Sequence, residues 1–160
     1  MAKIYIETSI VSYLTARPSS NLIAAAWQKK TIDWWETQRS RFSLYISEVV
    51  IEEAGRGDSY AASKRLDALA GLPILPLNKA AVELSKALIQ EGGVPKKALD
   101  DSLHISIAAA HGIDFLLTWN CRHIGNAEMK PKIRKICREH RFQCSEIATP
   151  IELMGVYEDD

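Results

Sequence analysis

The stretch Ala98–Ile124, ALDDSLHISIAAAHGIDFLLTWNCRHI, decides the fold. Leu99, Leu103, Ile107 and Ala110 recur at helical spacing, which predicts a helix over Ala98–His111 with Gly112 as its stop. Phe115–Trp119 follows as a nearly continuous apolar and aromatic run, the composition of a strand covered on both faces. The helix opens on an acidic pair, Asp100-Asp101, and the strand ends on Asn120. In an open parallel α/β sheet, strand ends and helix starts converge on one edge, where ligands bind.

The same alternation extends in both directions. Further strands are expected at Lys3–Ile6, Phe42–Ile46, Ile74–Leu77 and Glu146–Ala148. Helices are expected at Leu22–Gln38, with Leu22, Ala25, Ala26, Ile32 and Trp35 as its apolar positions, at Ser59–Ala70, at Lys79–Gln90 behind an Asn78 N-cap, and at Glu128–His140. Connections long enough for crossovers predict an α/β chain: a three-layer α/β/α sandwich around a central parallel sheet of about five strands. One domain over residues 1–155 is expected, with 156–160 an acidic, frayed tail.

Composition narrows the function. Twenty basic against twenty acidic side chains give no net charge, so any polyanion must be bound by local basic patches. Three cysteines, Cys121, Cys137 and Cys144, form no CxxC pair, which argues against a disulfide framework or structural zinc and for reduced thiols in the cytoplasm. The N-terminus has no long apolar core and no stretch suits a membrane span.

Three acids stand in separate motifs. Glu7 in IYIETS lies in or just after a buried strand, where a carboxylate needs a pair, hydrogen bonds or a metal unless the strand is an exposed edge. Thr8 and Ser9 are placed to cap the next short helix and to hold Glu7 through their hydroxyls. Glu53 in YISEVVIEEAGRG follows a strand-to-helix passage capped by Ser47, beside the core positions Val49, Val50 and Ala54; Glu52 is one helical step away. Acids at a helix start also complement its dipole with no further role. Asp101 shares a face with Ile105 and Ala108 and is the inward member of its pair, leaving Asp100 to solvent. Asn120 either turns a carbonyl oxygen to a cation, water or phosphate, or is a turn residue. Carboxylates distant in sequence that meet at one sheet edge make a hard-cation site, and hence metal-assisted hydrolysis.

Other chemistries find little support. His104 and His111 are two helical turns apart, too far to share a metal, and no HxxxH or HExxH motif occurs. His123 either touches substrate phosphate or packs in its loop. GxxxxGK[ST], GxGxxG and GxSxG are absent, and so is a DxDxT-type phosphatase nucleophile.

IYIETSIVSYL, YISEVVIEEAGRG, ALDDSLHISIA and FLLTWNCRHI, in this order, resemble the PIN domain family, in particular the toxin ribonucleases of toxin–antitoxin pairs. The resemblance covers nearly the whole chain. It implies an RNA substrate cleaved with Mg²⁺ or Mn²⁺. The acids that hold the ion fall on Glu7, Glu53 and Asp101, and the fourth catalytic position falls on Asn120. The accompanying hydroxyls fall on Ser9 and Thr118. Two positions depart from the usual pattern: Glu7 and Asn120 stand where the family usually has Asp. The longer Glu7 and the loss of the Asn120 charge imply one ion rather than two, better served by Mn²⁺ than by the stricter Mg²⁺.

Substrate contacts are expected from Lys96 and Lys97 ahead of Asp101 and from Arg122 and His123 after Asn120. Lys130, Lys132, Arg134, Lys135, Arg138 and Arg141 form a second basic cluster that is either an RNA contact or a solvated helix face. The resemblance also implies a small antitoxin protein whose tail places Arg or Lys among the carboxylates. Trp27, Trp34 and Trp35 offer an apolar patch for it or for a homodimer, unless two of them are core. The rival to a ribonuclease is a catalytically weak PIN-like module that binds RNA or protein, and Asn120 is its best support.

Overall fold

A computed structural model describes residues 1–155; the acidic tail expected at 156–160 lies outside the described residues. Strand β1 (Lys3–Ile6) leads to helices α1 (Thr8–Thr15) and α2 (Leu22–Thr37), and a 3₁₀ turn at Arg39–Arg41 leads into β2 (Ser43–Ser47). Then come α3 (Glu48–Ala54), α4 (Ser59–Leu69), β3 (Ile74–Leu75), α5 (Lys79–Gln90), α6 (Leu99–Ala110), β4 (Phe115–Leu117), α7 (Lys130–Glu139) and β5 (Glu146–Ala148). All pairings are parallel and the strand order is β3-β2-β1-β4-β5. Helices α1, α2 and α4 pack together, as do α5, α6 and α7, giving the expected α/β/α sandwich. The chain leaves β1 toward one edge and crosses back to β4 beside it, so β1 and β4 flank the topological switch point, the usual place for a ligand crevice.

Register explains the burial. Ile4, Tyr5 and Ile6 pair with Phe115, Leu116 and Leu117 on one side, and Ile4 and Tyr5 with Leu44 and Tyr45 on the other. Ile4, Tyr5, Ile6 and Leu117 have no exposed surface, as a strand covered on both faces requires.

The strands that differ from expectation do so for backbone reasons. β3 stops at Leu75 because Pro76 has no N–H to continue a ladder. β4 stops at Leu117, and beyond it Trp119 N–H turns to the Ser9 hydroxyl at 2.9 Å. β2 is displaced by one residue, so that Ser47 ends the strand and caps α3 by accepting from Val50 N–H at 3.2 Å. α7 begins at Lys130 rather than Glu128, since Asn126 Oδ1 accepts from Glu128 N–H in the preceding turn.

The inward face of α2 is rotated from the expected one. Leu22 is 86% exposed, whereas Gln28, Thr31 and Trp34 face the core. The two polar residues can be buried because each has partners. Gln28 donates to Arg17 O and accepts from Ser19 N–H, and Thr31 Oγ1 accepts from Trp119 Nε1 at 2.7 Å. Nor do the three tryptophans form one open patch. Trp34 is fully buried, Trp27 stacks on Trp119 at 4.7 Å, and Trp35 lies beneath the Arg39 guanidinium.

Trp34 stacks on Phe42 and donates its indole N–H to Leu153 O at 3.0 Å, tying α2 to the chain after β5. Trp34→Ala is expected to lower the unfolding free energy by about 3–5 kcal/mol, read as a lower urea midpoint. A loss below about 1 kcal/mol would show that this end of the core collapses onto the vacancy.

Candidate active site at the switch point

Glu7 leaves β1 in extended conformation and is itself the N-cap of α1, accepting from Ser9 N–H at 3.0 Å. The Ser9 hydroxyl donates to its Oε1 at 2.5 Å and the Thr118 hydroxyl, at the end of β4, donates to the same oxygen at 2.6 Å. Three donors thus hold a carboxylate that is only 5% exposed. This is how it tolerates burial without an Arg or Lys partner among the described residues. Ser9 bonds Glu7, the contact read for it from the sequence, and Thr118, read only as the hydroxyl ahead of the fourth position, bonds the same oxygen. Thr8 does not: its hydroxyl donates to Glu53 Oε1 at 2.7 Å, joining the start of α1 to the end of α3.

Glu53 also meets His104 Nε2 at 2.5 Å. Ligand atoms of Glu7, Glu53 and His104 lie within 4.8 Å of one another, the one such grouping of potential metal ligands among the described residues. His104 is not among the site residues expected from the sequence. The available signal was its place three residues after Asp101, on the same face of α6. His111 instead bonds Pro76 O at 2.9 Å, outside the site.

Asp101 is not in that grouping. Its Oδ1 accepts from Asn120 Nδ2 at 3.0 Å, and its Oδ2 meets His123 Nδ1 at 2.9 Å. Asn120 Oδ1 accepts from Arg122 and His123 N–H groups at 3.2 and 3.1 Å, so the amide is the turn residue that shapes the loop after β4. Asn120 N–H donates to Thr118 Oγ1 at 2.9 Å, which links the two halves of the site: Glu7 and Asp101 communicate through Thr118 and Asn120. Asp100 points away and pairs with Arg56, as does Glu52. Lys97 and Arg122 are exposed on either side of Asp101 and Asn120 in sequence. In the second basic cluster, Lys130 donates to Ile147 O and Lys135 pairs with Glu139.

The Glu53–His104 contact displaces both titrations. Burial alone would raise the Glu53 pKa, but the His104 hydrogen bond and charge, the Thr8 hydroxyl and Arg56 together carry it below its ordinary value of 4.5. Burial would lower His104, yet the Glu53 bond and the charges of Glu7, Glu53 and Asp101 raise it above its ordinary 6.5. Each shift favours an ionised carboxylate beside a protonated Nε2. A depressed carboxylate contributes stability present above 4.5 and lost as pH falls through the folded value. A raised imidazole contributes stability present below 6.5 and lost as pH rises through the folded value. The stabilisation from the pair is therefore expected to be largest between pH 4.5 and 6.5 and to decline on both sides. Unfolding midpoints of the wild type minus those of Glu53→Gln across pH check this; a difference that keeps growing above pH 6.5 would contradict the His104 assignment.

Comparison with known proteins places this geometry. Among curated proteins, no relative matches the chain by sequence. The fold is similar to VapBC2 from Rickettsia felis, solved bound to a DNA fragment from its promoter, with TM-score 0.58 and 16% identity over 92% of this chain and 98% of that one. It is also similar to Mycobacterium tuberculosis VapC20, a toxin that cleaves the sarcin-ricin loop, with TM-score 0.60 and 12% identity over 78% of this chain and 95% of that one. The PIN domain family model matches residues 4–123, a span that contains Glu7, Glu53, His104, Asp101 and Asn120. Three-quarters of the sequence thus matches that model, and the chain belongs to the PIN domain family.

Proposed function

We propose that this chain is a metal-dependent ribonuclease of the toxin type, hydrolysing RNA phosphodiester bonds. The observation that carries the reading is the approach of two carboxylates, Glu7 and Glu53, at the switch point with no Arg or Lys paired to either among the described residues. Oxygen donors of this kind fit a hard divalent cation, and one carboxylate already stripped of most of its solvent has a reason to be kept. Glu7 and Glu53 would hold Mg²⁺ or Mn²⁺, with Asp101 at the rim. A cation there supplies charge neutralisation at the phosphate and lowers the pKa of a bound water.

The remaining steps belong to the protein. Ser9 and Thr118 fix one Glu7 oxygen, so its carboxylate cannot rotate away as substrate charge arrives. Asn120 holds Asp101 and, through its oxygen, the backbone of Arg122 and His123. The exposed Arg122 and Lys97 are suited to the RNA backbone, and attraction from these local charges makes affinity salt-dependent. The similarity to VapC20, a toxin that cleaves the sarcin-ricin loop, supports a toxin acting on RNA; a small antitoxin partner and a cytoplasmic location belong to the same reading. No described helix is long and apolar enough to cross a membrane.

One observation favours a second reading, a PIN fold that binds RNA or protein without cutting: both Asp101 oxygens already have partners, and Asn120 adds no charge. Cleavage of a labelled single-stranded RNA separates the two. The nuclease reading expects cutting with Mn²⁺, less with Mg²⁺ and none with EDTA, falling by about two orders of magnitude or more in Glu7→Gln and in Asp101→Asn. RNA that is bound but left intact by the wild type, with every metal, would establish the binding module instead.

A further inference from the structure

Beneath the carboxylates runs a buried chain of polar contacts that the proposed chemistry does not use. Tyr5 OH meets Ser47 Oγ at 2.6 Å and His104 Nδ1 at 2.6 Å, and His104 Nε2 meets Glu53 Oε1 at 2.5 Å. Tyr5, Ser47 and His104 are each fully buried. Tyr5 precedes Glu7 by two residues in extended chain, so both point to the same face of the sheet.

Hydrogen counting gives the chain a direction. Ser47 Oγ already accepts from Val50 N–H, and its own hydrogen has no other acceptor among the described residues, so it goes to Tyr5. When His104 is neutral, Tyr5 then donates to its Nδ1, which leaves the ring proton on Nε2, facing Glu53. Run the other way, the Ser47 hydrogen would be stranded in the core. Tyr5 therefore refers α3 to β1 at two points: at its start through Ser47, and at Glu53 through His104.

We propose that Tyr5 is a positioning residue for the Glu7–Glu53 pair: it fixes His104 in the Nε2-protonated tautomer and so sets where the Glu53 carboxylate stands relative to Glu7. Its consequence for ion binding rests on the nuclease reading above. The arrangement also assigns His104 a role as a donor to Glu53, with both ring nitrogens engaged within the protein, rather than as a ligand.

The test uses the full chain and Mn²⁺ alone as probe. In mildly alkaline buffer, ¹⁵N-histidine NMR of the metal-free wild type is expected to show His104 protonated at Nε2 and bare at Nδ1. Tyr5→Phe keeps the ring and is expected to weaken Mn²⁺ binding about tenfold, by electron paramagnetic resonance titration well below its melting temperature. A purely structural tyrosine would lower the melting temperature without moving that affinity. In a His104→Leu background, Tyr5→Phe is expected to have no further effect on Mn²⁺ affinity, since Tyr5 acts through the ring. Protonation at Nδ1 alone, an unchanged Mn²⁺ affinity in Tyr5→Phe, or ¹⁴N coupling from His104 to bound Mn²⁺ would each overturn the proposal. If the wild type takes up no Mn²⁺, the nuclease reading and the positioning role fall together. If the wild type binds and Tyr5→Phe binds equally well, only the role of Tyr5 falls.

Discussion

Glu7 is a carboxylate 5% exposed at the end of the central strand of a parallel sheet, and its burial constrains its neighbours. A charge so placed needs donors, and donors that reach it must come from the adjoining elements. Ser9 supplies two from the first turn of α1, and Thr118 supplies one from the end of β4. The same Ser9 oxygen accepts from Trp119 N–H, so the hydroxyl that holds Glu7 also ends β4. Trp119 in turn donates to Thr31 and stacks on Trp27, which seats α2 with a polar face inward. The rotation of α2 away from its apolar positions is thus a consequence of what lies at the sheet edge.

The fold was legible because its signals are local. Continuous apolar runs at Lys3–Ile6 and Phe115–Leu117, caps at Ser47 and Asn78, and stops at Gly71 and Gly112 all repeat patterns fixed by backbone sterics. The inward turn of Asp101 was legible for the same reason, through Ile105 and Ala108 on its face. The partners of the site residues were not. Thr8 reads as a helix-capping hydroxyl but serves Glu53, 45 positions away. Tyr5 reads as one more apolar strand residue, and its hydroxyl becomes meaningful only once β2 and α6 are in place. His104 looks like a core histidine among Ile105, Ile107 and Ala108, and it is one; it is also bonded to a carboxylate. Long-range hydrogen bonds leave no periodicity in a sequence, so such roles emerge from topology alone.

The two halves of the site differ in how they manage charge. Around Glu7 and Glu53 the compensating groups are hydroxyls, one backbone N–H and an imidazole. No guanidinium or ammonium is ion-paired with Glu7 or Glu53 among the described residues; the Arg56 charge acts on Glu53 while Arg56 itself pairs with Glu52 and Asp100. Around Asp101 the partners are an amide and a second imidazole, His123, so both of its oxygens are engaged by protein groups. The exposed basic residues flank the second half in sequence, which on the nuclease reading suits a division in which one half receives an ion and the other faces the RNA.

Asn120 is where that division is decided. Its Nδ2 lies 3.0 Å from Asp101 Oδ1 and donates to it, while its Oδ1 supports the loop that carries Arg122 and His123. An aspartate there could still accept the two loop N–H groups, but its other oxygen would face Asp101 Oδ1. Two carboxylates at such a distance do not both stay ionised without a cation or a shared proton between them. The amide removes that demand by turning a repulsive contact into a hydrogen bond. It stitches the rim of the site with protein atoms alone. On the nuclease reading, Asn120 stands where a further carboxylate would be, and its hydrogen bond holds Asp101 in place.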